Sequence, residues 1–431
     1  METQTQERIS PIQIFGLFAL TALNMQDGFD ILAISYASSD IMESWGISRT
    51  GLGLVLSASL FGMMIGAVVL SPLADRFGRR TIAAWGLAIS GVGMLLAMVS
   101  WSIDALLIGR MITGIGIGAI LASVNTLVAE YAGEKYVGIA VGTFLLGFPL
   151  GAYLSGFLAD YLLETATWRH LFAFGAASSF VFIPIVLVLP ESMSYIAQRG
   201  APGALERINK IRRNLGREPL DQLPKTAPAI SGLSGIAKLF SAEYLAKTLL
   251  IWTGFFLLLS TLYFLLSWIP RLFVEIGFTV AEGNRAERLI NLIGMPGIMV
   301  MGALTLFLRP SLVTSFYLAA LALCLFVLAN MSGDLGMLLF IVGAVGFFLH
   351  GGMIGLYSIV PYLYPSHIRA TGTGWAIGMS RFGAVVGPYM AGVLLDAGWT
   401  PQDLFTLYVV PVLAASVCAF ALYWLHMRQA P

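Results

Sequence analysis

Charge is what this sequence has least of. Only 11% of its 431 residues are Asp, Glu, Lys or Arg, against about a quarter in soluble domains. The formal net charge is +1, so there is no basic surplus for nucleic acid and no acidic surplus for a basic partner. Cysteine is nearly absent. Cys324 and Cys418 both fall in apolar runs, which leaves no disulfide or metal framework. The four histidines, His170, His350, His367 and His426, are not spaced as a metal pair, and no phosphate-cradling glycine loop is present. These absences argue against a soluble catalyst, a cofactor and an ATP-driven machine. What is there is apolar: 58% hydrophobic residues and a mean hydropathy of +0.84, the composition of a polytopic membrane protein.

Windows of about 20 apolar residues predict twelve spans, near 12–37, 52–72, 81–100, 103–128, 138–160, 170–189, 245–270, 286–308, 311–331, 335–362, 371–396 and 403–425. No small-residue cleavage site follows the first run, so it reads as a retained helix. With the N-terminus inside, most of the 24 Lys and Arg residues lie in inner loops and tails, which predicts both termini cytoplasmic. Arg110 and Arg381 stand apart, inside apolar runs. One long polar segment, 191–243, carries Arg207, Lys210, Arg212, Arg213 and Arg217 and reads as a solvated cytoplasmic linker. It divides the chain into six-helix bundles at 1–190 and 244–431.

The two halves share a spacing. Gly138, Gly142, Gly147, Gly151 and Gly156 recur 236 residues later as Gly374, Gly378, Gly383, Gly387 and Gly392, and Ala140, Tyr153 and Asp160 recur as Ala376, Tyr389 and Asp396. Parallel repeats of six helices about an axis along the membrane normal are the architecture of the major facilitator fold. Small residues let helix backbones approach closely, so the ladder is expected to be packing.

Motifs support the same reading. Ser71-Pro72-Leu73-Ala74-Asp75-Arg76-Phe77-Gly78-Arg79-Arg80 resembles the facilitator loop signature, with Ser71 where glycine is usual. Its second copy keeps only Arg309. Gly109-Arg110 through Gly114 and Pro190-Glu191-Ser192 resemble two further signatures of that superfamily. A narrower resemblance rests on five stretches: Asp27-Gly28-Phe29-Asp30, Glu130-Tyr131, Trp168-Arg169, the run Tyr263 to Trp268-Ile269-Pro270, and Tyr364 to Gly372 leading into Arg381-Phe382-Gly383. Together these are similar to the aromatic acid:proton symporter family, whereas His350 has no clear place in that pattern. The resemblance implies a proton-coupled importer of a small aromatic carboxylate, such as a hydroxybenzoate-type acid. It further implies no cofactor, no enzymatic activity, a bacterial inner-membrane location and a monomer. Another organic acid, a nicotinate-like compound or a sugar is the rival within transport. A transporter-derived nutrient sensor is the rival outside it.

The candidate site follows from intramembrane charge, which is expensive and therefore functional by default. Asp27 and Asp30, three apart on one helix, are expected to share a cavity wall. Asp30 and Arg110 come to matching depth, which suits an ion pair, either coupling or structural. Near the midplane, desolvation favours a neutral Asp27 carboxyl, so Asp27 is the candidate proton carrier, with permanently charged gating as the other reading. Arg381 replaces Leu145 of the first repeat, and its forked guanidinium suits a substrate carboxylate or an acid such as Asp27. His350, Tyr263, Trp268, Tyr357 and Trp375 are candidate substrate contacts; the alternatives are a packing histidine and belt or core aromatics. Asp75, Arg76, Arg79 and Arg80 form a candidate charge latch holding the halves together on the cytoplasmic side. Glu130 with Arg369 or Lys135 is a second one. Glu287 beside Arg288 reads as a solvated helix start.

Overall fold

The computed structural model describes residues 10–224, 233–331 and 333–429. Its elements follow the hydropathy. Helix α1 (Pro11–Tyr36) starts in a capping box, with Ser10 accepting from the Gln13 backbone and Gln13 answering, and a short α2 (Ser38–Trp45) follows. Next come α3 (Arg49–Val69), a 3-10 turn at Ser71–Leu73, α4 (Ala74–Phe77) and α5 (Arg79–Met98). Helix α6 (Ile103–Thr165) is two spans joined end to end. Gly133, at φ 74°, breaks it into arms 103–133 and 136–165.

The break is capped from elsewhere. Gln13 donates to the carbonyls of Tyr131 and Ala132, and Arg217 of the linker donates to those of Glu130 and Tyr131, at 2.7–3.1 Å. The carbonyl groups at the kink thus find donors, as buried helix ends require. The first half closes with α7 (Arg169–Val188). The linker carries α8 (Met193–Arg199), α9 (Ala204–Asn214) and α10 (Leu233–Leu239).

The second half contains α11 (Leu245–Glu275), α12 (Val280–Phe307), α13 (Pro310–Asn330), α14 (Leu335–Leu363), α15 (Ser366–Asp396) and α16 (Pro401–Gln429). Among the described residues, eleven segments are long and apolar enough to cross a membrane. The twelfth, α15, has the length but not the apolarity. It carries Arg381 and the glycines of the second ladder, which lower its apolarity.

The glycine ladder divides by face, and this corrects the expectation that all of it packs. At 100° per residue, Gly147 and Gly151 share one face, and Gly138, Gly142 and Gly156 share the opposite one. On the first face, Gly147 and Gly151 bring the second arm of α6 against the backbone of Thr21 and Met25 in α1. Gly383 and Gly387 do the same for α15 against Phe256 and Ser260 in α11. On the second face, Gly156 and Gly392 meet Arg288 and Arg49 of the opposite half, while Gly138, Gly142, Gly374 and Gly378 meet open space. The halves therefore touch at the end bearing Asp160 and Asp396 and part at the end bearing the 71–80 loop and the linker. Burial agrees, with one core cluster crossing both halves and a separate one confined to the first half and its linker.

Candidate functional site

Where the halves part, the sequence's isolated charges converge from both sides. Asp27 of α1 is 8% exposed, its Oδ1 has no hydrogen-bond partner, and its nearest counter-charge is Arg381 of α15 in the opposite half. Arg381 Nη1 donates to the Tyr263 hydroxyl of α11 at 3.4 Å and lies within electrostatic reach of Tyr357 of α14. Tyr357 is held edge-on against Phe255, with ring centroids 5.0 Å apart. One carboxylate, one guanidinium and two phenols thus meet at the seam. The Gly28 backbone, beside Asp27, lies against the Phe148 carbonyl, so the loop-free helix can place its acid there only because the next residue has no side chain.

Asp30 does not share that wall. It is 1% exposed and points into the first half, where Ser90 Oγ donates to its Oδ2 at 3.4 Å and its Oδ1 abuts Gly175. Arg110, fully buried, donates from Nη2 to the Asp30 backbone carbonyl at 2.7 Å and lies 5.7 Å from the Phe172 ring centroid. The expected pairing is thus electrostatic and through the main chain, with no side-chain ion pair. The reason is the helix turn: three residues rotate Asp30 away from the seam by some 60°.

Three aromatic or histidine candidates also sit elsewhere. Trp268 is fully buried and donates its Nε1 to the Pro388 carbonyl at 2.9 Å, tying α11 to α15. Trp375 stacks on Trp252 at 5.8 Å. His350, 1% exposed, packs on Gly294 of α12 with its Nδ1 3.2 Å from the Gly346 carbonyl. An apolar groove of ≈ 460 Å³ on the outer flank of α12 and α14, lined by Leu289, Ile293 and Phe340 among others, contains none of the candidates.

The expected latches are corrected too. Asp75 pairs with Arg79 at 3.6 Å, Arg79 donates to Thr126, and Arg80 donates to the carbonyls of Leu187 and Leu189. The Arg76 carbonyl accepts from Tyr195. Glu191 accepts from the Arg80 and Ser192 backbones. Glu130 accepts from Ser192 Oγ, the Met193 backbone and Ser194 Oγ at the start of α8, while Arg369 bonds the Tyr364 carbonyl of its own segment. The side chain of Lys135 lies outside the described residues. All these contacts stay within one half or its linker, because the halves are apart at this end.

The halves are joined at the opposite end by residues the sequence reading did not single out. Asp160 of α6 pairs with Arg288 and accepts from Asn284 Nδ2, both on α12. Asp396 of α15 accepts from the backbones of Arg49 and Thr50 at the start of α3, at 3.1 and 2.8 Å. Arg49 also bonds Glu275 of α11 at 2.8 Å. Asp160 and Asp396 are the repeat-related pair, so one carboxylate per half grips the entry of the helix facing it. Their recurrence was the available signal. Removing one grip loosens this end. We expect Asp160→Ala to raise maleimide labelling of a Ser57→Cys reporter, whose position touches Val385 of the opposite half, by about fivefold or more. The reporter is read in a Cys324→Ser, Cys418→Ser background. Unchanged labelling overturns the assignment.

A bundle of two pseudo-symmetric halves, with opposed charges at a seam open on one side, defines a membrane transporter rather than an enzyme. The chain belongs to the major facilitator superfamily, whose family model matches residues 17–308. It is 31% identical to a 4-hydroxybenzoate transporter, PcaK, of Acinetobacter baylyi, over 91% of this chain and 87% of that one. It is 30% identical to a gallate transporter of Pseudomonas putida, over 94% and 90%. With a 3-(3-hydroxy-phenyl)propionate transporter of Escherichia coli it shares 30% identity over 96% and 95%. The inward open conformation of the xylose transporter XylE from E. coli superposes with a TM-score of 0.71 at 17% identity, covering 94% of each chain, a likeness of fold.

Proposed function

We propose that the protein imports a small aromatic carboxylate together with protons by alternating access, and that the structure is its inward-open state. The observation that carries this reading is the Asp27, Arg381 and Tyr263 cluster, assembled from both halves deep in the opening. Asp27 and Arg381 neutralise each other when the site is empty. An incoming carboxylate takes Arg381, Asp27 takes a proton, and the site is again neutral before it reorients. Tyr263 and Tyr357 supply phenol edges and hydroxyls for an aromatic ring and its substituents. The names of the aromatic-acid relatives support the substrate class, and positive-inside asymmetry supports a cytoplasmic opening, cytoplasmic termini and an inner-membrane location. The seam is complete within one chain, which suits a monomer of bundles 1–190 and 244–431 joined by 191–243. A niacin transporter among the relatives, 25% identical, makes a nicotinate-like acid the second reading.

A gradient of one pH unit supplies about 1.4 kcal/mol, or tenfold accumulation per proton. Proteoliposomes with an inward proton gradient are therefore expected to concentrate labelled 4-hydroxybenzoate or a close analogue several-fold, and Asp27→Asn to lose that concentration. Preferential accumulation of a sugar or an aliphatic acid sinks the substrate class. Ligand binding without movement points to a sensor.

A further inference from the structure

The sequence reading of Glu287 as a solvated helix start is overturned by its burial. It lies roughly 10 Å into α12 and is 0% exposed. Its Oε1 accepts from Asn291 Nδ2 at 3.0 Å, and its Oε2 has no partner. Among the described residues no cation pairs with it. Arg288, its neighbour in sequence, is given to Asp160 across the seam. Tyr36 of α1 lies within electrostatic reach of it; one turn back along α12 Gly283 packs on Pro270 of α11, and two turns along, Gly294 packs on His350 of α14. The Tyr36 hydroxyl donates to the Ala152 carbonyl at 3.2 Å, so it offers Glu287 no proton.

The stripe is short of donors. Asn284 Oδ1, Glu287 Oε2 and Asn291 Oδ1 recur on one face of α12, all buried acceptors without a hydrogen. An ionised carboxylate here would leave an unpaired buried charge, at several kcal/mol, whereas one added proton turns Glu287 into the missing donor.

We propose that Glu287 binds a proton that closes the Asp160–Arg288 end of the transporter, at a site separate from Asp27. This rests on the alternating-access reading. When α12 leaves α6, water reaches the stripe and Arg288 is released beside Glu287, so the open form holds the carboxylate and the closed form the acid. The closed form binds one more proton. Acid therefore favours closure of this end and alkali favours its opening, by at most tenfold per pH unit for a single proton.

The test uses the full chain in liposomes, without substrate, with the Ser57→Cys reporter labelled at a series of pH values and normalised for intrinsic thiol reactivity. Labelling of the parent is expected to climb as pH rises, and that of Glu287→Gln to stay low and flat. Glu287→Asp should climb with a displaced midpoint, which also serves if the glutamine variant does not fold. A flat parent curve, or an unchanged climb in Glu287→Gln, overturns the proposal, as does a response that follows sodium in place of pH. Because no substrate is used, the result stands whether or not an aromatic acid proves to be the cargo. Failure of uptake in the wild-type protein would instead strike the functional reading.

Discussion

Alanine at Arg381 is expected to lower the initial rate of gradient-driven uptake by about 100-fold or more, with the protein folded and inserted. Truncating one partner of a buried charge pair costs about 2–5 kcal/mol, and here both the resting and the loaded site lose the same cation. In the empty protein, Asp27 would stand without its counter-charge. In the loaded protein, the substrate carboxylate would have no forked donor. Arg381→Lys keeps the charge but not the fork or the reach to Tyr263, so an intermediate loss is expected. Initial rates together with equilibrium binding of the same acid separate the two effects: alanine should weaken binding as well as rate. Unchanged binding in Arg381→Ala would remove Arg381 from the substrate site.

The second large effect concerns the two faces of the glycine ladder. Gly151→Val and Gly387→Val place a branched side chain against the Met25 and Ser260 carbonyls, both of them backbone that cannot step aside without moving a helix. We expect these variants to lose folded protein in detergent, by 3 kcal/mol or more, on the order of the larger overpacking penalties. The same change at Gly142 or Gly378 meets nothing in this conformation. Those variants should fold with normal thermal stability yet transport at about a tenth of the native rate or less, because their face must close on the opposite half when the opening end shuts. Thermal melts beside uptake rates distinguish the pairs. Equal stability loss in all four would mean that the ladder is uniform packing after all.

The difference between the faces shows how a motif can be legible while its meaning is not. A spacing of 236 residues identifies the repeat, but only the angular position of each glycine and its neighbour reveals which pack and which face a gap. The same holds for the acids. Asp27 and Asp30 lie in one motif, yet the seam takes the first and the interior of one half takes the second. Arg110 was legible as a buried cation needing a partner; that its partner is a carbonyl was not, since a main-chain acceptor leaves no mark in residue types. Glu287 was misjudged because it follows charged residues at a helix start, Glu282 and Arg285, and its burial depends on helices distant in sequence packing against α12.

The sequence by itself determined the membrane setting, the twelve spans, the repeat and the presence of isolated charges inside the spans. Each follows from local chemistry: apolar length against bilayer thickness, glycine spacing along a helix, and the cost of a lone charge in an apolar run. Only the tertiary structure decided which charges meet across the seam, which end is shut by Asp160 and Asp396, and that the 71–80 latch serves one half alone. Those are relations between helices distant in sequence, and they differ between the states of a transporter, so one sequence must be compatible with more than one set of them.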